Sequence, residues 1–380
     1  MMSPTVLPLA DEPIRHLYVH VPFCPTICPF CSFHVLERRS AAVDAYLERL
    51  DAELAELADA RRLELDTVYL GGGTPSYLRP SEMERLRRSI GHRVGWAGVE
   101  ATLEVHPSTA SPERAAQWAE LGFNRLSVGA QSFDDGVLRT LGRPHDADAG
   151  RRAVEWCLAT GATTSVDIMT AIDGQDLASD LLAAVDLGVD HVSAYTLTIE
   201  PGTPFERLGV QVPDERAADA LVLTASVLAA AGFERYEVSN HAREGARSVH
   251  NRAYWTSAWF AGVGPSASSH LPMRDPRDSS TIAVRSRNAD TPAWLEGAAP
   301  EWEAVTGRDR LGDAMLCGLR LVDGIDLDEL TVMTGLDPRA ELAGELAELV
   351  GDGLVEIDGA ALRPTSAGLL VLDRVAAALL

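Results

Sequence analysis

The stretch Leu17-Tyr18-Val19-His20-Val21-Pro22-Phe23-Cys24-Pro25-Thr26-Ile27-Cys28-Pro29-Phe30-Cys31 decides the reading of this chain. A β-type run, Arg15–Val21, feeds a tight loop that holds three of the five cysteines. Three thiols crowded this closely suit metal ligation in a reducing compartment better than a disulfide framework. Structural zinc is normally closed by four ligands, whereas an iron–sulfur cube held by three cysteines keeps one iron open. A zinc knuckle here would need His20 or His34 to complete it. Cys157 and Cys317 read as packed thiols.

Outward from that loop, short β-type runs alternate with longer helical ones, the mark of βα units around a parallel sheet. The strands are expected near Arg15–Val21, Thr67–Leu70, Ala101–Val105, Arg125–Gly129, Thr164–Met169 and His191–Thr196. The helices are expected near Ala41–Ala60, Pro80–Ile90, Pro112–Leu121, Asp146–Ala159, Leu177–Leu187 and Asp214–Ala231. Ser111 before Pro112 is a capping residue ahead of a helix-starting proline. After Gly232 the period breaks. Arg235–Leu271, rich in aromatics, His, Gly and Ser, reads as a loop capping the barrel, and Met273–Thr291 reads as a surface loop. From about Arg308 a helical pattern resumes and closes on a hairpin around Leu354–Ile357 and Leu362–Thr365.

The loop after the second strand, Gly71-Gly72-Gly73-Thr74-Pro75, lets backbone come close to a ligand because three residues carry no side chain. Glu104, Gln131 and Asp167 fall at the ends of the third, fourth and fifth strands, where β/α barrels place their sites, and Arg143 follows in Leu141-Gly142-Arg143-Pro144-His145.

The C-x3-C-x2-C spacing after a first strand resembles the radical S-adenosylmethionine (SAM) enzymes. The surrounding Tyr18-Val-His20-Val-Pro22-Phe23-Cys24 is similar to the opening of their HemN/HemW group, which holds the oxygen-independent coproporphyrinogen dehydrogenase, the haem chaperone HemW and HemN-like C-methyltransferases. The resemblance covers roughly Leu17–Leu380. It implies an α/β fold, a partial (β/α)6 barrel with a small helical, winged-helix-like C-terminal domain, divided as 1–235, a capping segment and linker at 236–300, and 301–380. It implies a [4Fe–4S] cluster on Cys24, Cys28 and Cys31 whose open iron chelates SAM, electron transfer into the sulfonium giving methionine and a 5′-deoxyadenosyl radical. SAM contacts carried over are Tyr18, Phe30, Gly72, Gly73, Thr74, Glu104, Gln131, Arg143, Asp167 and Ser268. A carboxylate suits ribose hydroxyls and an arginine the SAM carboxylate.

His250-Asn251-Arg252-Ala253-Tyr254-Trp255 resembles the H-N-x-x-Y-W motif associated with haem in HemW, making His250, Tyr254 and Trp255 candidates for haem or substrate. Three places depart from HemW: Ser32-Phe33, the strand-five segment Asp167–Gln175, and Gly262–His270, which looks more like HemN. HemN itself has a long extension before its first strand, and only a short stretch precedes Tyr18 here. The first-ranked expectation is therefore a C-methyltransferase using two SAM molecules on an sp² carbon of a heteroaromatic intermediate, with Tyr254, Trp255 and Trp259 stacking on its ring. Haem binding and delivery is the alternative, and coproporphyrinogen oxidation the third. An electron donor such as a flavodoxin or ferredoxin is implied.

Composition narrows the partners. With 33 Lys+Arg against 56 Asp+Glu, the net charge of −23 repels phosphate backbones and anionic lipid, so nucleic acid is excluded as a partner class. No apolar run approaches the ~18–20 residues of a membrane span. The short run Val6–Ala10, broken by Pro8, does not support a signal peptide, and the expected location is cytoplasmic.

Overall fold

The computed structural model describes residues 12–273 and 280–379. Six strands, β1 (Ile14–Val21), β2 (Leu63–Gly72), β3 (Glu100–Val105), β4 (Arg125–Gln131), β5 (Thr163–Thr170) and β6 (His191–Thr196), pair in parallel in chain order. Successive side chains on a strand point to opposite faces. Leu17, Val19 and Val21 of β1, Val68 and Leu70 of β2, and Leu126 and Val128 of β4 are fully buried on one face. They join Val43, Leu50, Leu86, Trp118 and Val154 from the intervening helices in one core. Each such side chain contributes about 1.5–3 kcal/mol on burial. The opposite, concave face carries the alternate residues: His16, Tyr18, His20; Thr67, Tyr69; Glu100, Thr102, Glu104; Ser127; Asp167. A polar lumen against an apolar outside is what the two-residue period of these sequences encodes.

The helices fall where expected. Ser111 caps Pro112–Glu120 by accepting from the Arg114 amide at 3.2 Å, and Trp118 of that helix is wholly buried. Arg114 lies over Trp118 at 5.4 Å and donates to the carbonyls of Ser76 and Leu78, which ties this helix to the loop after the glycines. Cys157 sits in the core as a packed thiol.

The segment after Gly232 corrects the loop reading. β7 (Glu234–Arg235) and β8 (Asn240–Ala242) extend the sheet antiparallel beyond β6. β9 (Phe260–Val263) lies parallel to β1 on the other side, followed by antiparallel β10 (Ser268–Pro272), β11 (Thr281–Arg287) and β12 (Glu301–Thr306). Among the described residues the sheet therefore has twelve strands, ordered β12-β11-β10-β9-β1-β2-β3-β4-β5-β6-β8-β7. Short strands rich in Ser, His and Gly hid this extension, because they carry neither a 4–8-residue apolar run nor a clean alternation. Of the surface loop expected over Met273–Thr291, Thr281–Arg287 is strand, and residues 274–279 lie outside the described residues, as does Val6–Ala10.

Beyond Thr306, which forms a capping box with Asp309, helix Gly307–Gly318 opens a C-terminal unit with its own core of Leu311, Met315, Leu327, Leu346, Leu362 and Val375. Val355–Asp358 and Ala361–Pro364 form the expected hairpin, joined by Ile325–Asp326 as a third strand. Cys317 departs from expectation: it is partly exposed on the wall of a cavity rather than packed.

Candidate functional site

The cysteine loop is fixed at both ends. Phe23–Cys24 pairs with Leu36–Glu37, closing its base, and the Cys31 amide donates to the Cys28 carbonyl at 3.1 Å. Its tip is held from the barrel: the Phe205 amide donates to the Pro29 carbonyl at 3.1 Å, and Phe30 packs on Phe205 beside Leu141, Met169 and Leu197. Thr74 Oγ1 donates to Cys24 Sγ at 3.6 Å and Arg143 Nη1 to Cys28 Sγ at 3.3 Å. Burial pushes the Cys24 thiol up to about 11 and raises Cys31 as well. Such thiols become thiolates when a metal centre takes the place of the proton.

Around a single ion, three sulfurs at about 2.3 Å would converge. No three His, Cys, Asp or Glu side chains do so among the described residues. His20 bonds Tyr18 and the His34 carbonyl, and His34 bonds Thr291, so neither histidine turns to the cysteines as a fourth zinc ligand. Three thiols on one loop, with neither histidine as a fourth donor, fit an iron–sulfur cube, each cysteine on its own iron.

Beside the loop, the three glycines are demanded by the chain itself as much as by a ligand. A Cβ on Gly72, at φ +106°, would lie 2.4 Å from the His20 ring, and one on Gly73 would lie 2.8 Å from the Pro22 backbone. The Gly72 amide and the Tyr69 hydroxyl both donate to Glu104, at 3.1 and 2.8 Å. Burial nevertheless dominates and pushes Glu104 up to about 7. Asp167 takes a hydrogen bond from Ser127 at 3.2 Å and is likewise pushed up, to about 6, by burial.

Polar atoms at this end of the sheet are left open, Nδ1 of His145 among them. Gln131, at φ +69°, has its Oε1 buried without a partner, and so does Nε of Arg143, whose Nη2 donates to the Gly129 carbonyl. Positive φ in a residue other than glycine is uncommon and persists only where the surroundings impose it. Asp180 holds the residues that follow, accepting from Ser132 and from the Phe133 amide at 2.6 Å. Orphaned buried donors and acceptors fit a ligand that has both ammonium and carboxylate groups.

The fold thus brings Tyr18, Phe30, Gly72, Gly73, Thr74, Glu104, Gln131, Arg143 and Asp167 to the concave face and the cysteine loop. Ser268 stands apart, exposed at the start of β10 on the wall of a cavity of ≈ 500 Å³. His250 is wholly buried with both ring nitrogens engaged, Nδ1 with Thr67 at 2.6 Å and Nε2 with the Tyr254 hydroxyl at 2.8 Å. The carboxylate of Glu100 accepts from the amides of Val249 and His250 and fixes the start of helix Val249–Trp255. Arg320 lies over Trp255 at 4.8 Å and Arg310 over Trp259 at 3.7 Å, so both rings face the C-terminal unit. Sequence reasoning missed Tyr69 and Glu100. Tyr69 stacks between Tyr18 and His250, with ring centroids 6.1 and 5.0 Å away, and its place two residues before Gly71 on the lumen face was the available signal.

The radical SAM superfamily profile matches residues 18–187, and the HemN C-terminal domain profile matches residues 305–371. The heme chaperone HemW of Mycobacterium tuberculosis is 34% identical over 399 residues, with 99% of this chain and 97% of the relative covered. The chain belongs to the HemN/HemW group of the radical SAM superfamily. The heme chaperone HemW of Escherichia coli is similar at 31% identity, covering 85% of this chain and 87% of its own. A bovine radical S-adenosyl methionine domain-containing protein 1, mitochondrial, is 33% identical with 96% and 87% covered. In fold, the chain is similar to the coproporphyrinogen III oxidase HemN of Escherichia coli, with a TM-score of 0.81 at 23% identity over 97% of this chain and 91% of that one.

Membership in this HemN/HemW group implies a [4Fe–4S] cluster and SAM, and the residues present fit both. Cys24, Cys28 and Cys31 would hold the cluster, while Glu104, Gln131 and Arg143 offer the carboxylate, amide and guanidinium that an amino acid moiety requires. Bound there, the cluster would supply the electron for reductive SAM cleavage. What this HemN/HemW-group chain contributes is orientation: Arg143 bridges the cysteine loop and β4, and Thr74 bridges the loop to the glycine turn. Among the described residues no helix is long and apolar enough to cross a membrane.

Proposed function

We propose that this chain binds haem and delivers it, as the name of its HemW relatives says of them, with a cluster on Cys24, Cys28 and Cys31 and SAM held by Tyr18, Phe30, Gly72, Gly73, Thr74, Glu104, Gln131, Arg143 and Asp167. The observation that carries this reading is the 34% identity running through 99% of the chain to a HemW, across both the radical SAM and C-terminal regions. It supports the alternative of the sequence reading over the C-methyltransferase ranked first there, since no relative named above is called a methyltransferase. The HemN-like residues of Gly262–His270 remain the feature on which methyl transfer would rest. The reading keeps the division at 1–235, 236–300 and 301–380, an electron donor of the flavodoxin or ferredoxin class, and a reducing, cytoplasmic location suited to free thiols.

The test is an anaerobic titration of cluster-loaded protein with hemin, together with an assay of SAM products. Saturation near one hemin per chain, with no S-adenosylhomocysteine formed, supports delivery. No hemin binding, together with S-adenosylhomocysteine and a methylated heteroaromatic product, overturns it in favour of methyl transfer.

A further inference from the structure

Asp180 sits in the first turn of helix Leu177–Leu187 and is only 3% exposed. A carboxylate that deep is costly unless donors surround it. Three do: the Ser132 hydroxyl at 2.8 Å, the Phe133 amide at 2.6 Å and Nε2 of Gln175 at 2.9 Å. The positive end of the helix dipole adds to them. Ser132 is itself wholly buried, and its hydroxyl also accepts from the Asp134 amide at 3.0 Å.

These donors belong to two different turns. Ser132 and Phe133 directly follow β4, which ends in Gln131, and Gln175 closes the turn after β5, the strand that carries Asp167. Gln175 fastens its own turn as well: Nε2 donates to the Met169 carbonyl at 2.8 Å, and its backbone amide donates to the Ile172 carbonyl at 3.2 Å. Each turn contains a residue in the left-handed region, Gln131 at φ +69° and Ala171 at φ +63°. Neither is glycine, so both conformations need support from their surroundings. The two turns also meet in register. Past an irregularity after Val128, Gln131 pairs with Ile168, the neighbour of Asp167.

The sheet itself is secured here on its other face, where Val128, Val166 and Ile168 are wholly buried. The bonds to Asp180 therefore act beyond the strand ends, on the turns. A carboxylate suits the position because each of the three groups bonded to it is a donor; an amide would set one N–H against another.

We propose that Asp180 is a positioning residue for SAM, holding from the helix layer the two turns that present Gln131 and Asp167. This rests on the reading of Gln131 and Asp167 as SAM contacts. Asp180 acts through them, Gln131 serving the amino acid moiety and Asp167 the ribose, so one buried carboxylate sets the spacing of both halves of the ligand.

The test uses cluster-loaded protein without reductant, so that SAM is bound but not cleaved, and measures the SAM dissociation constant by equilibrium dialysis beside iron content and thermal midpoint. Asp180→Asn is expected to weaken SAM about tenfold or more while iron content stays at the wild-type value. Ser132→Ala and Gln175→Ala, each releasing one turn, are expected to weaken it about threefold. Ser111→Ala removes the cap of another barrel helix and is the control: its thermal midpoint falls while SAM affinity stays within about twofold of wild type. Wild-type SAM affinity in Asp180→Asn overturns the proposal. An equal loss in Ser111→Ala also overturns it, because SAM affinity would then only follow stability. If Asp180→Asn takes up no iron, the two single-turn variants decide, and wild-type affinity in both overturns it. Wild-type affinity in both Gln131→Asn and Asp167→Ala instead removes the reading of those residues as SAM contacts, whatever Asp180→Asn shows.

Discussion

The parallel half of the sheet and its antiparallel extension treat polar side chains in opposite ways. On the concave face of β1–β6 they are tied in pairs: His16 with Thr67 at 2.9 Å, Tyr69 with Glu104 at 2.8 Å, Ser127 with Asp167 at 3.2 Å and Ser165 with His191 at 2.8 Å. In the extension, His270 Nε2 and Arg285 Nε are buried without partners and Trp302 stands exposed. Buried polar networks that are fully satisfied rigidify what they surround. The first region is thus a largely preorganised frame for a cofactor set shared by a superfamily, with Thr102 Oγ1, Gln131 Oε1, Arg143 Nε and His145 Nδ1 among the atoms left without partners. The second leaves buried polar atoms without partners beside exposed aromatic surface, and is the less tied of the two.

This contrast is broken most easily at the glycine turn. Gly72→Ala combines positive φ with a contact of 2.4 Å to His20, and we expect a loss of about 2–4 kcal/mol in urea denaturation. Gly174→Ala, at φ +74° with nothing within 4 Å, should lose only about 1 kcal/mol. Equal losses would mean that the turn is not packed as described.

A smaller effect follows from the two carboxyls of the frame. Burial raises Glu104 from 4.5 to about 7 and Asp167 from 3.8 to about 6. The folded chain then retains protons that the unfolded chain releases, so stability falls as pH rises from about 4 to about 7. Urea midpoints of cluster-free protein should decline across that window, and Glu104→Gln should remove the part of the decline above about pH 6 while leaving the contribution of Asp167 below it. A wild-type midpoint that rises instead would show that these carboxyls are stabilised as anions.

Least of all is expected from the link between the extension and the C-terminal helix. Arg285, 40% exposed, pairs with Asp313 and Glu303, and solvent screening limits Arg285→Ala to less than about 1 kcal/mol by thermal denaturation. A larger loss would make the extension as rigid as the frame and weaken the comparison.

The same contrast governs what could be read from sequence. The six parallel strands were legible because each is long enough to show its buried face, and the site residues because Cys24, Cys28, Cys31 and the Gly71–Gly73 turn sit directly after such strands. β9 and β10 were not legible: Phe260–Val263 is held by the edge of β1, and Ser268–Pro272 mixes Ser, His and Pro, so pairing rather than pattern makes them strands. Motif reasoning also pointed to His250, since sequence cannot show that Thr67 and Tyr254 occupy both of its ring nitrogens. Tyr69 and Glu100 escaped for a related reason, because their importance lies in neighbours more than thirty positions away.

The central claim is a three-cysteine cluster whose open iron meets SAM. Protein reconstituted anaerobically with isotope-enriched iron and examined by Mössbauer spectroscopy before and after SAM addition tests it directly. The account predicts about four irons per chain, with one iron site alone changing its spectrum when SAM is added, and loss of the cluster in Cys24→Ala, Cys28→Ala or Cys31→Ala. A chain that takes up zinc instead, or a cluster whose spectrum SAM leaves unchanged, would contradict it.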